Sequence, residues 1–165
     1  MKLGGYCPGC GGGAGNQGCV IARCSLEHGG YNYCFECSEY PCTKYNAITE
    51  FDSFITHRNQ IIDLEKAKSK GMSVYLAKLE QKATILKYLL ENYDDGRRKT
   101  FFCLAVNLLE LSDVKTVIKN LETDISLAAA RKEKALVAVT YFEGMAKQNG
   151  ITLKMNQKPK THLSK

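Results

Sequence analysis

Hydrophobic residues recur with the spacing of an α-helix over most of the chain beyond residue 47. The clearest stripe steps by three and four residues through about five turns, and it consists of Leu76, Leu79, Ala83, Leu86, Leu90 and Tyr93. A second helical pattern, which Gly71 ends, consists of Phe51, Phe54, Ile55, Ile61, Ile62 and Leu64. The spacing therefore predicts an α-helical domain over residues 47–155.

Breaking and capping residues divide this domain into about five helices. Residues 94–96, Asp-Asp-Gly, break the long stripe, and a short, mostly buried helix is expected over residues 99–109. Ser112 can cap the next helix and Asp124 a long last helix, which Asn149-Gly150 would close as a C-terminal cap. The apolar positions of the last helix are Leu127, Leu136, Val139, Phe142 and Met145.

The first 46 residues differ in having glycine-rich turns and few large apolar side chains. Over residues 5–46 the apolar groups include Val20, Ile21, Leu26, Tyr31, Tyr33, Phe35 and Tyr40. So few groups cannot offset the lost backbone entropy, which is about 1–2 kcal/mol per ordered residue. A structural zinc ion could, because its binding contributes about 10–16 kcal/mol in small zinc modules. We therefore expect this segment to unfold when its metal is removed.

Cysteine spacing in this segment indicates a metal site. Seven of the eight cysteines lie within residues 7–42, and the pairs Cys7/Cys10 and Cys34/Cys37 have the C-x-x-C form of a zinc knuckle. The two pairs together predict a four-thiolate site, and the other three cysteines with His28 predict a second tetrahedral site. The predicted ligands are Cys7, Cys10, Cys19, Cys24, Cys34, Cys37, Cys42 and His28. The expected cofactor is zinc, as one or two ions.

Other thiol chemistries fit the spacing less well. The segment contains seven cysteines, and an odd number disfavours disulfides. Iron–sulfur ligation stays an alternative, although the spacings match neither ferredoxin pattern. A thioredoxin-type dithiol at Cys7/Cys10 would need a helix where residues 11–13 are all glycine. The G-x-G-x-x-G pattern at residues 13–18 lacks the strand and helix that flank a dinucleotide site, so it predicts a loop.

The sequence contains no pattern of a catalytic zinc site. It has no H-E-x-x-H and no deaminase pairing, so no catalytic residue is predicted. If His28 did not complete the second site, a coordination position would stay open, which keeps a thiol or metal sensor, or a metal-dependent enzyme, as an alternative. Cys103 is expected to be a buried core thiol, and His57 and His162 to be surface residues.

Charge and hydropathy narrow the class of partner. The formal net charge is +6, and thiolate–zinc sites would reduce it. Such an excess does not mark a nucleic-acid binder, although the basic helical half keeps a nucleic-acid-binding zinc module as a further alternative. The sequence shows neither a secretory leader nor an apolar run that could cross a membrane. A cytoplasmic location, where thiols stay reduced, is therefore expected.

Several motifs of the cysteine-rich segment resemble one family. The motifs are Cys7-Pro-Gly-Cys10, Cys19-Val-Ile-Ala-Arg-Cys24, Glu27-His-Gly-Gly and Tyr33-Cys-Phe-Glu-Cys-Ser-Glu-Tyr-Pro-Cys42. Over residues 6–46 the chain resembles the cysteine-rich bacterial and archaeal family catalogued as domain of unknown function 3795. The resemblance implies zinc binding by the seven cysteines of the segment, and it implies no activity.

The sequence thus predicts a mainly α protein with two domains. Residues 1–46 form a small cysteine-rich zinc module of loops, turns and short strands, which packs on an α-helical domain of about five helices over residues 47–155. Residues 156–165 are expected to be a disordered basic tail. The expected function is that of a cytoplasmic, non-catalytic zinc-binding protein with an interaction or regulatory role. Its expected partner is a protein rather than nucleic acid or a membrane.

Overall fold

The computed structural model describes residues 20–52, 55–125 and 129–158. Within these ranges the regular structure is helical, with two 3-10 turns at Cys34–Glu36 and Thr43–Tyr45 and no β-strand. The helices are α1 (Val20–Glu27), α2 (Gln60–Lys70), α3 (Met72–Asn92), α4 (Lys99–Leu108), α5 (Leu111–Asp124) and α6 (Arg131–Gln148). The mainly α fold class is confirmed.

The described chain forms two compact units. Unit 1 contains the described residues up to Lys70 together with those from Asn156 onward, and unit 2 is Gly71–Met155. The predicted module over residues 1–46 and the predicted disordered tail both include residues outside the described ranges, so the sequence-based boundaries stay predictions.

Unit 2 is built around a continuous hydrophobic core. Helices α3 to α6 pack together, and the rings of Phe102 and Phe142 meet edge to face with centroids 6.1 Å apart. The buried core residues are Leu89, Tyr93, Phe102, Ala105, Val106, Leu109, Val114, Val117, Leu121, Ala138, Phe142 and Ala146. Burial of this apolar surface is what stabilises the unit.

Long cationic side chains satisfy helix ends inside unit 2. The Lys82 ammonium on α3 donates to the carbonyl oxygens of Asn107 and Leu109, 3.2 and 2.6 Å away, at the end of α4. Arg131 on α6 donates in the same way to the carbonyl oxygen of Glu91, near the end of α3. Both contacts place positive charge at a helix C-terminus, where the exposed carbonyls favour it.

The predicted C-terminal cap of the last helix is confirmed. Gly150 has a φ of +66°, and its N–H donates to Lys147 while the N–H of Ile151 donates to the carbonyl oxygen of Ala146 at 2.8 Å. These two bonds form a Schellman motif, which needs the left-handed backbone that glycine adopts without strain.

Three predicted helix starts are wrong. The helix expected from Phe51 begins at Gln60, because residues before it form turns held by side-chain bonds to backbone. Ser112 lies inside α5, whose N-cap is Glu110. Asp124 is the last residue of α5 rather than the cap of α6, which begins at Arg131; its carboxylate instead accepts a hydrogen bond from Tyr141.

The described part of unit 1 has very little hydrophobic core. Among its described residues three hydrophobic side chains are buried, Ile21, Tyr45 and Ala67, whereas unit 2 buries fifteen. Helix α2 packs against the 3-10 turn Cys34–Glu36. The scarcity of apolar groups expected from the sequence therefore holds for the part of this unit that the structure describes.

Asp52 joins the two stretches of chain that make up unit 1. Its carboxylate accepts hydrogen bonds from the N–H of Asn156 at 2.9 Å and from the N–H of His57 at 3.0 Å. Its own N–H donates to the carbonyl oxygen of Asn156, and the Asn156 side chain donates to Thr49. Burial opposes ionisation, but these N–H donors outweigh it and hold the pKa of Asp52 below its ordinary value.

No helix in the described part of the chain is both long enough and apolar enough to span a lipid bilayer.

Replacing Phe142 by Ala should destabilise unit 2 by about 3–5 kcal/mol, because it removes a fully buried ring from a packed core. Urea unfolding followed by far-UV circular dichroism measures the change. Leu136→Ala is the matched control on the same helix, since Leu136 is 47% exposed, and it should cost about 0.5 kcal/mol or less. Equal losses in both variants would contradict the core described above.

Replacing Asp52 by Asn should lower the free energy of unfolding by about 1–2 kcal/mol at pH 7, because two hydrogen bonds lose their charged acceptor. A carboxyl with a lowered pKa contributes stability above its ordinary value of 3.8. That contribution is lost as the pH falls through the lower folded-state pKa. The difference between wild type and variant should therefore be full at pH 7 and shrink below pH 3.8.

Thermal unfolding of both proteins across this range measures the difference, with Glu50→Gln at the exposed neighbouring carboxylate as the control. A difference that stayed constant down to pH 2 would contradict the role of the Asp52 charge.

Candidate metal centre

Four cysteines and a histidine of unit 1 line one cavity. The empty space within the cavity, including the solvent at its open side, is about 400 Å³. Its lining residues are Ile21, Cys24, His28, Tyr31, Cys34, Cys37, Tyr40, Cys42, Lys44 and Tyr45. We call it the cysteine cavity. It contains five of the eight predicted metal ligands, and the other three, Cys7, Cys10 and Cys19, lie outside the described residues.

Helix α1 and the residue after it bring Cys24 and His28 together. The two are four positions apart, so they lie on one side of the helical turn. The His28 Nδ1 atom is 3.0 Å from the Cys24 carbonyl oxygen and 3.5 Å from the Cys24 Sγ atom. If Nδ1 donates its proton to the carbonyl, the Nε2 atom has the free lone pair that a metal ligand requires.

A 3-10 turn carries the next pair of thiols. The N–H of Cys37 donates to the carbonyl oxygen of Cys34 at 3.1 Å, which closes the turn between the two cysteines. The Glu36 carboxylate accepts from the N–H groups of Asn32 and Tyr33, at 2.9 and 3.2 Å. A C-x-x-C turn that is fixed in this way has the compact form of a zinc knuckle.

Cys42 precedes a second 3-10 turn, which places two donors in the cavity. The N–H of Tyr45 donates to the carbonyl oxygen of Cys42 at 3.0 Å. The ammonium of Lys44 lies beside the Cys24 sulfur, and a hydrogen bond to that sulfur raises the pKa of Lys44, with the charge of Cys42 adding to the effect. Lys44 therefore lies against two of the predicted ligands.

Two buried tyrosine hydroxyls face this thiol-rich surrounding. Tyr45 is 6% exposed, and its ring meets that of Tyr40 edge to face at 5.7 Å. Within the described chain neither hydroxyl has a partner at hydrogen-bonding geometry. Burial, with the neighbouring Cys34 sulfur adding to it, raises the pKa of Tyr45. Burial, followed by the Glu65 carboxylate on α2, raises the pKa of Tyr40 to about 12.

The donor set fits a soft or borderline metal ion. Thiolates together with imidazole are the ligands that zinc prefers, and none of the ligand types here suits magnesium or calcium. The described cysteines are free thiols. Among the described residues, no three His, Cys, Asp or Glu side chains come close enough together to hold a metal ion. The pairing of the predicted ligands into one or two sites therefore stays a prediction.

Sequence reasoning missed two lining residues with polar groups, Lys44 and Tyr45. They lie two and three residues after Cys42, and that proximity in sequence was the available signal. Their roles depend on α1 and the Cys34 turn meeting them across the cavity, which no local pattern specifies.

The remaining candidate residues lie elsewhere or outside the described ranges. Cys103 on α4 is half-buried rather than fully buried, and burial raises the pKa of its thiol. The His57 side chain is half-buried too, although a surface position was expected. His162 and the glycine pattern at residues 13–18 lie outside the described residues.

The fold and the cavity define a class of protein. It is a mainly helical chain in which unit 1, with few buried hydrophobic side chains among its described residues, contains a cavity lined by thiols. Comparison with protein families adds that residues 2–47 match the family described as "Protein of unknown function (DUF3795)". The match covers 46 of the 165 residues, and it confirms the resemblance of the cysteine-rich segment. No curated protein and no solved structure matches the chain.

Proposed function

We propose that this protein binds zinc through its cysteine-rich segment and that the metal maintains the fold of that segment. The observation that carries the proposal is the cysteine cavity, which four thiols and an imidazole line within a unit that has three buried hydrophobic side chains among its described residues. Such a unit lacks the apolar burial that stabilises small domains. Metal–thiolate bonds supply the missing free energy in small zinc modules.

The cavity suggests which residues would hold each ion. Cys24 lies beside His28, and Cys24 and Cys42 are both near Lys44, so these three ligands with Cys19 would form one set. Cys34 and Cys37 share a turn on the side of Tyr45, and Cys7 with Cys10 would complete a four-thiolate set. In both sets all four tetrahedral positions are filled by protein atoms, which is the arrangement of a structural rather than a catalytic zinc site.

The role that follows is non-catalytic. A closed thiolate site supplies a rigid fold and leaves no position for water or substrate. Unit 2 offers surface for a partner protein, because Val74, Leu76 and Leu79 on α3 are exposed large hydrophobic residues. We therefore propose a zinc-binding interaction or regulatory protein, which acts where thiols stay reduced, as in the cytoplasm.

Metal analysis of the purified chain should find about one to two zinc ions per molecule and no visible absorption. Replacing Cys34 by Ser should remove about one of these ions, because a tetrahedral site loses a thiolate. Cys103→Ser is the matched control, since Cys103 lies on α4 in unit 2 and does not line the cysteine cavity. Elemental analysis and anomalous diffraction at the zinc edge measure count and ligands together.

A chelator should then unfold residues 20–52 and leave α3 to α6 intact, which hydrogen exchange of the individual amides resolves. Undiminished protection of residues 20–52 in metal-free protein would refute the proposal. So would a zinc content that Cys103→Ser lowers as much as Cys34→Ser does. A brown protein with visible absorption would replace zinc by an iron–sulfur cluster.

Replacing His28 by Ala should weaken zinc binding and change the visible spectrum of the Co²⁺-substituted protein, because an imidazole is lost from a site that otherwise holds thiolates. His57→Ala is the matched control, since the contact of His57 with Asp52 uses the backbone N–H. Identical Co²⁺ spectra for wild type and His28→Ala would show that His28 is not a ligand and that the second site is completed differently.

A further inference from the structure

We infer that the 3-10 turn after Cys42 supplies the outer hydrogen bonds of the metal centre, with the Lys44 ammonium donating to the Cys24 thiolate and the Tyr45 hydroxyl to the Cys34 thiolate. This inference rests on the proposed zinc-binding function. It assigns a positioning role to two side chains that are not themselves ligands.

Tyr45 carries the first half of the inference. Its side chain is 94% buried, since its exposed fraction is 6%, and its backbone N–H is held by the Cys42 carbonyl. Its hydroxyl has no partner at hydrogen-bonding geometry within the described chain, although the Cys34 sulfur is its neighbour. A buried donor without an acceptor is costly. A metal-bound thiolate is negatively charged, and it gives that donor a charged acceptor.

Lys44 carries the second half. It lines the cysteine cavity together with Cys24 and Cys42, and both sulfurs raise its pKa, with the Cys24 sulfur making the larger contribution. A zinc ion held by three thiolates and one imidazole has a net charge of −1, and four thiolates give −2. An ammonium beside two of these sulfurs compensates part of that charge.

Both contacts act on the sulfur rather than on the metal. Donation to a thiolate draws electron density from the sulfur, favours the thiolate over the thiol, and makes it less reactive toward electrophiles. Because Lys44 and Tyr45 are adjacent on one short turn, the same backbone segment orients donors toward a thiol on α1 and a thiol on the Cys34–Glu36 turn. The turn therefore links both groups of ligands.

The test compares zinc affinity in the full-length chain, measured by competition with a chromophoric chelator. Tyr45→Phe and Lys44→Met should each weaken zinc binding about 10–100-fold, the usual range for outer contacts of a metal site. Lys44→Arg should restore most of the loss, because guanidinium also donates to a thiolate. Tyr141→Phe and Lys68→Met are the matched controls, since the Tyr141 hydroxyl donates to Asp124 in unit 2 and Lys68 does not line the cysteine cavity, and both should change affinity less than about twofold.

A spectroscopic readout separates hydrogen bonding from mere support of the fold. In Co²⁺-substituted protein, removal of a donor from a thiolate raises the energy of the sulfur electrons, so the sulfur-to-cobalt charge-transfer band should move to longer wavelength in Tyr45→Phe and Lys44→Met. A loss of packing alone would leave this band in place.

The outcomes separate the inference from the function on which it rests. A wild-type chain that binds neither Zn²⁺ nor Co²⁺ overturns both. A chain that binds zinc, with wild-type affinity and an unmoved band in Tyr45→Phe and Lys44→Met, overturns the inference and leaves zinc binding standing. Tyr141→Phe that weakens binding as much as Tyr45→Phe also overturns it, because the effect would then not depend on a donor in the cysteine cavity.

Discussion

Apolar burial is scarce in the part of unit 1 that the structure describes. Its described part buries Ile21, Tyr45 and Ala67, of which one is a tyrosine with an unsatisfied hydroxyl and one is an alanine. The entropy lost on ordering its turns is of the same size per residue as in unit 2, whereas the hydrophobic gain is far smaller. In the proposed function, bonds from a metal ion to the thiols of the cysteine cavity would supply that difference.

The polar contacts of unit 1 orient its chain without supplying that energy. Glu36 fixes the loop before Cys34, and Asp52 joins residues 49–57 to Asn156. Each such hydrogen bond contributes about 0.5–3 kcal/mol net, which is small beside the cost of ordering the segment. They select one arrangement of turns, and metal–thiolate bonds would make that arrangement stable.

The helical period was readable from the sequence, but the buried face only in part, since Leu86, Leu90 and Tyr93 of the predicted stripe reach the core of unit 2. Six apolar residues predicted α3, yet Leu76 and Leu79 of that stripe are 51% and 40% exposed. The fully buried residue of α3 is Leu89, which lies outside the stripe, because the core of unit 2 meets only the C-terminal half of this helix. Likewise, cysteine spacing predicted a set of ligands. The position of Lys44 and Tyr45 in the cavity could not be predicted, because it depends on α1 and two turns that are separate in sequence. Local spacing encodes periodicity and ligand pairs, and tertiary packing decides which sides face inward.

The extent of the family match bears on where function lies. The match ends at residue 47, so it includes all seven cysteines of the segment, His28 and the turn with Lys44 and Tyr45. Helices α3 to α6, which contain nearly all of the buried hydrophobic core, lie beyond it. A metal centre in residues 2–47 therefore uses groups that fall wholly within the matched segment. Recognition of a partner through the exposed apolar residues of α3 would instead belong to the helical unit outside the match. The proposed zinc binding and the proposed partner recognition can therefore be tested separately.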